Sequence, residues 1–109
     1  MAKTLQQGTV TIALQGTTSA SYAVRANHCL VAFITPAALT GTAFTFQASF
    51  DAETFTNVYN AGTEYSVSVG ASRFVAVDPN VFQGAKYIRV VSGSQEAAAR
   101  TIIMVTGEL

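Results

Sequence analysis

The sequence holds a single cysteine, Cys29, and a single histidine, His28, in 109 residues. One thiol excludes an internal disulfide, and without a Cys-x-x-Cys pair or a histidine cluster a zinc site of the usual kind is excluded too. A reducing compartment is the favoured setting. Tryptophan is absent. No hydrophobic run approaches membrane-spanning length: the longest uncharged apolar run, Cys29 to Ile34, is far short of the roughly 20 residues a helix needs to cross a bilayer. Met1 to Gln7 contains neither the apolar core nor the cleavage site of a secretory leader. The expectation is a soluble chain with no membrane partner. Charge of either sign is scarce, six Lys plus Arg against six Asp plus Glu, for a net charge of zero. A general attraction to nucleic acid or anionic lipid has no basis in such a balance.

Charged residues make up 11% of the chain, against about 25% in an average soluble domain. A weakly charged surface with no net charge invites association, so the composition fits a protein whose surface is partly covered by neighbours. A Thr/Ser-coated small β-domain fits the same counts.

What is present is alternation. In Thr42 to Asp51, Phe44, Phe46, Ala48 and Phe50 occupy every second position with Thr45, Gln47 and Ser49 between them. A helix would scatter these four around its axis; a strand puts them on one face. Val10, Ile12 and Leu14 repeat the pattern in Gly8 to Leu14, Tyr22, Val24 and Ala26 in Ser21 to Asn27, and Tyr65, Val67 and Val69 in Glu64 to Val69. Cys29 to Ile34 is continuously apolar, as in a central strand buried on both sides, and Pro36 stops it. Thr54 to Tyr59, Arg73 to Val77, Lys86 to Val91 and Thr101 to Val105 complete the strands, with turns expected at Asn60 to Thr63, at Gly70 to Ser72 and at Asp78-Pro79-Asn80. The one helical turn expected is Pro36 to Leu39. Eight or nine short strands at this spacing predict an all-β fold: a single-domain antiparallel β-sandwich over residues 1–109, jelly-roll-like, with 1–7 and 107–109 as flexible arms.

Candidate chemistry is thin. His28 and Cys29 are adjacent, but successive side chains of a strand point to opposite faces, so they do not form a nucleophile and base. No Gly-x-Ser-x-Gly is present, and a lone histidine would have to serve every triad role. Asp51, Glu53, Asn57 and Glu64 offer loop oxygens of the type calcium takes, without the EF-hand spacing; solvated turn carboxylates are the simpler reading. Paired carboxylates for glycoside cleavage need a cleft lined by stacking aromatics, and the absence of tryptophan counts against one. Arg73, Lys86, Arg89 and Arg100 fall in the second half with no basic run or Gly-rich phosphate loop beside them, so scattered solvated bases or salt bridges to a neighbour fit better than a phosphate site. No catalytic residue, cofactor or metal is expected.

Two resemblances add to this. Ser49-Phe-Asp51, Phe55-Thr-Asn-Val58 and Ala85-Lys-Tyr-Ile-Arg-Val90 resemble the Ser-x-Asp-Gly-x-x-aromatic turn and the Ala-Arg-Tyr-Ile-Arg-like late strand of discoidin-like jelly rolls, with Ala52 in place of the Gly and Lys86 in place of the first Arg. Those motifs hold the fold; the ligand loops of that family vary, so no sugar-binding residue is carried over. The Ala/Thr/Ser/Val/Gly-rich run from Phe44 to Ile103, including Val77-Asp-Pro-Asn-Val-Phe-Gln-Gly84 and Val91-Ser-Gly93, resembles small virion proteins of tailed bacteriophages. That resemblance implies a capsid decoration (cement) protein in the virion, assembled in the host cytoplasm, homo-oligomeric on the particle and bound to the major capsid protein and to neighbouring copies of itself, without direct nucleic-acid contact and without catalysis. A neck, tail or fibre module, or a discoidin-like carbohydrate-binding module for host attachment, is the alternative. The loops Thr35 to Thr40 and Gly93 to Ala99, small or apolar and nearly uncharged, supply the expected partner contacts: Pro36, Ala37, Leu39, Gln95, Ala97 and Ala98.

Overall fold

Val10 and Ile12, Phe44 and Phe46, Ile88 and Val90, and Ile102 and Met104 are pairs two residues apart, and an extended chain puts each pair on one face. The computed structural model, which describes residues 5–108, turns all four pairs inward and buries them. Eleven strands form among the described residues: β1 (Leu5–Ile12), β2 (Tyr22–Ala23), β3 (His28–Ile34), β4 (Ala43–Ser49), β5 (Thr56–Asn57), β6 (Tyr59–Asn60), β7 (Thr63–Glu64), β8 (Ser66–Ser68), β9 (Phe74–Ala76), β10 (Tyr87–Ser92) and β11 (Arg100–Glu108). One sheet has the order β1-β11-β3-β9; the other has β2-β10-β4-β5, with β8 also paired to β4. All these pairings are antiparallel.

The chain crosses from sheet to sheet in the sequence β1, β2, β3, β4, then β8 beside β4, then β9, β10, β11. Two interlocked four-strand sets wound this way are a jelly roll, so the architecture is a β-sandwich of jelly-roll type. Two predicted strands, Thr54 to Tyr59 and Glu64 to Val69, are each broken in two, which raises the strand count from nine to eleven. The break lies where Val58 turns into the core and its N–H donates to the Phe46 carbonyl at 2.9 Å. Between the pieces, β6 and β7 make a hairpin whose two loop residues, Ala61 and Gly62, both have positive φ, 53° and 85°. This is the type I′ geometry that suits the twist of paired strands.

Aromatic rings fill the middle. Phe33 lies 5.5 Å from Phe44 and 6.0 Å from Phe46, and Phe46 meets Phe82 edge to face at 5.1 Å. Phe82 comes from a 3-10 turn, Pro79–Phe82, that closes one end of the sandwich; Asp78 caps it by accepting from Asn80 N–H at 3.0 Å, with Pro79 at its first position. The helical turn therefore lies here and not at Pro36 to Leu39, which is irregular. Leu39 instead packs against the core from a loop.

Three further expectations are corrected. Leu14 is 62% exposed, because β1 ends at Ile12 and residues 13–16 turn, with Gly16 N–H donating to Ala13 C=O at 2.8 Å. Phe50 is 70% exposed because the strand parity ends one residue earlier: Ser49 Oγ accepts from Asp51 and Ala52 N–H, starting a turn. Residues 5–7 and 107–108 belong to strands and not to arms, since Leu5, Gln6 and Gln7 pair with Gly107, Thr106 and Val105, and Glu108 pairs with His28. Residues 1–4 and 109 lie outside the described residues.

Candidate interaction surface

The two outer faces of the sandwich differ in character. On the outer face of β2-β10-β4, polar groups prevail: Gln47 Nε2 donates to Asn57 Oδ1 at 3.2 Å, and the Arg89 guanidinium lies 3.8 Å above the Phe55 ring. Thr45 pairs there with Val91 and Ser66.

The outer face of β1-β11-β3-β9 is apolar across its middle. Ile102 and Met104 point inward from β11, so Ile103 and Val105 point outward. Ile103 pairs with Ile34, and Ile34 with Phe74, giving a continuous row of three large apolar side chains across three strands. Phe74 is 67% exposed, and Ile34 and Ile103 are half-buried. The next row is Val105, Ala32 and Ala76.

A register shift between Val105 and Thr106 leaves Val31 as the extra residue of β3. Beyond it Gly107 lacks a side chain, and the space above it is flanked by Leu5 at 3.2 Å and Val31 at 3.5 Å from where a Cβ would stand. The apolar surface thus runs from Phe74 to the exposed Leu5. Thr9, Thr11 and Thr101 border it, with the Thr11 and Thr101 hydroxyls 3.2 Å apart. No charged residue stands at any of these outward positions. An uncharged apolar surface on a sheet, bordered by hydroxyls, is the composition of an interface core with its rim.

The loops singled out from the sequence meet at one end of the sandwich. Ala97 N–H donates to Thr40 Oγ1 at 3.2 Å, so the 35–40 and 93–99 segments lie side by side. Ala37, Gln95, Ala97 and Ala98 are exposed, while Pro36 and Leu39 are half-buried and the Pro36 carbonyl accepts from Ser72 N–H at 2.7 Å. What joins the loops is a residue the sequence did not mark. Glu96 is completely buried, and its carboxylate accepts from Thr40 N–H at 2.8 Å, Gly41 N–H at 2.9 Å, Ser92 Oγ at 2.8 Å and Arg100 Nε at 3.0 Å. Burial alone would raise its pKa; the four donors outweigh burial and hold it at about 2, against an ordinary 4.5. Its backbone bonds both ways to the 15–16 turn, through Gln15 N–H at 2.7 Å and Gly16 C=O at 3.0 Å.

The remaining candidates are dispersed or already occupied. Asp51 Oδ1 accepts from Thr54 and Glu53 N–H, the first of these being the main cause that lowers its pKa, so its role is to shape the turn. Among the described residues no group of three or more acidic, His or Cys side chains is placed to hold a metal. Arg100 is tied to Glu96, Arg89 to Phe55 and Lys86 to Phe50, so the bases do not converge. His28 is buried with Nδ1 3.4 Å from Thr106 Oγ1, and Cys29 is buried in the core.

The chain matches no protein-family model and no curated protein sequence. Among solved structures it is similar to a protein of the disulfide-linked pili of Bacillus endospore appendages, at 19% identity over 99% of this chain and 90% of that one, with a TM-score of 0.43. It is similar to a chain of the cyanophage Pam1 capsid asymmetric unit at 15% identity over 98% and 86%, with a TM-score of 0.41. It is also similar to CBM32-1 from a family 31 glycoside hydrolase of Clostridium perfringens, at 9% identity over 90% and 72%, with a TM-score of 0.35. Likeness of this degree carries no argument about function.

Proposed function

We propose that this protein is a structural subunit that packs against neighbouring subunits of an assembled particle through the outer face of β1-β11-β3-β9. The observation that carries the reading is the apolar Phe74-Ile34-Ile103 row, with no charged residue at the outward positions named beside it among the described residues. A standard interface removes about 800 Å² from each partner, a modest part of the 5980 Å² that the molecule exposes. The low charge of the whole chain supports the same reading.

Within it, the finer proposal is a decoration protein on a tailed-bacteriophage head. The major capsid protein lies beneath the apolar face, and other copies of this chain lie within reach of the Thr35 to Thr40 and Gly93 to Ala99 loops. Its work there is to cover and clamp, without catalysis or cofactor. The virion resemblance of the Phe44 to Ile103 run is what supports this finer step. The test is to purify the native particle that contains the chain and count its copies by quantitative mass spectrometry against the most abundant shell protein. A simple ratio to the shell protein is expected; a few copies per particle would place the chain at the neck, tail or fibre, and absence from any particle would overturn the structural reading.

A further inference from the structure

The geometry points to a second site, independent of the packing face: a binding site for an acidic oligosaccharide at the end of the sandwich around Phe50. Phe50 stands between two adjoining clefts, of about 340 Å³ and 510 Å³, which also share Gly84 and Ala85 as lining. Volumes of this order hold one or more sugar rings. Phe50 is 70% exposed, and the Lys86 ammonium lies 4.8 Å from its ring centroid on one side. An aromatic ring held open in this way offers its face to the C–H surface of a sugar.

The two clefts differ in charge. The smaller is lined by Arg25 and Lys86 with no carboxylate among its residues. The larger carries Asp51, whose Oδ1 is already engaged by two backbone N–H groups, together with uncharged polar side chains. Two of those have capacity to spare. Asn57 accepts from Gln47 through Oδ1, which leaves its NH₂ to donate, and Gln83 donates through Nε2 to Asn80, which leaves its carbonyl to accept. A sugar ring on Phe50 therefore directs an acidic substituent toward Arg25 and Lys86 and the hydroxyls of its neighbour toward Asn57 and Gln83. The cations select an acidic over a neutral glycan, because the lining of that cleft sets no carboxylate against Lys86, and Glu108 shares only a separate recess of about 160 Å³ with Arg25. Two bases on a chain of zero net charge do not provide the phosphate-tracking surface that a nucleic acid requires.

The test is an NMR titration of the ¹⁵N-labelled protein with a galacturonate hexamer and with a sulfated heparin-derived hexasaccharide, compared with maltohexaose and inorganic phosphate. The expected result is saturable shifts at residues 24–27, 50–57 and 83–87 with at least one acidic hexamer, and at least tenfold weaker binding of that hexamer by Phe50→Ala and by Arg25→Ala. Both side chains are exposed, so both variants are expected to keep the native spectrum. If Phe50→Ala does not, Lys86→Ala serves in its place. No saturation by either acidic hexamer up to about 10 mM, equal binding of maltohexaose, or the same shifts from phosphate alone would each overturn the proposal. Copy number on a particle is unaffected by any of these outcomes.

Discussion

The buried Glu96 carboxylate accepts the Thr40 N–H at 2.8 Å across 56 residues of sequence. With Gly41, Ser92 and Arg100 as further donors, one side chain ties two loops and the end of two sheets together. Glu96→Gln replaces an oxygen by an NH₂ that faces donors and leaves Arg100 without its counter-charge. The expected loss is about 3 kcal/mol, read from urea denaturation at neutral pH.

The same carboxylate gives the molecule an acid limb. Its pKa is depressed in the folded state, so its contribution is complete above the ordinary 4.5 and disappears as pH falls toward about 2. That difference corresponds to about 3 kcal/mol. Denaturation curves between pH 6 and pH 2 should show wild type losing this increment and Glu96→Gln losing much less; parallel curves would rule out the assignment.

Gly41 is placed so that a Cβ would collide with Ser92 Oγ and stand 3.2 Å from Glu96 Oε2. Gly41→Ala should cost about 1 to 3 kcal/mol. Because both changes disturb the same network, the double variant with Glu96→Gln should lose less than the sum of the two single variants.

Phe46→Ala removes the ring that touches Phe33, Tyr65 and Phe82. A loss of about 3 to 5 kcal/mol is expected. A loss below about 1 kcal/mol would mean that this aromatic cluster is not the centre of the core.

Ala61 occupies a left-handed position next to Gly62 in the β6-β7 loop. Asparagine tolerates that conformation better than alanine, and Asn-Gly is the preferred pair for this turn. Ala61→Asn should raise stability by about 0.5 kcal/mol, equivalent to a Tm increase of about 2 to 4 °C.

Much of the sandwich was legible wherever one face is buried and the other is wet, as with Phe44 and Phe46 against Thr45 and Gln47. The pattern failed where a side-chain hydrogen bond ends the strand before the apolar residues stop, which is why Phe50 looked like core. Leu5 to Gln7 carry no alternation, and only their pairing with β11 makes them a strand. Glu96 was not legible, because two of its four donors are backbone N–H groups of Thr40 and Gly41, 56 and 55 residues away, which no local motif announces. Ile34 sits in the Cys29 to Ile34 run, which reads as buried on both sides. Only the sheet order shows that one of those sides is an outer face, where Ile34 aligns with Phe74 and Ile103 across three strands.

The most direct test of the packing claim is the copy number of two variants on the purified native particle. Ile103→Lys puts a charge at the β11 end of the apolar row, and Thr45→Lys puts the same charge on the opposite, polar face. The account predicts that Ile103→Lys folds with a near-wild-type Tm yet is lost from the particle, while Thr45→Lys is retained. Retention of Ile103→Lys at the wild-type copy number would contradict it.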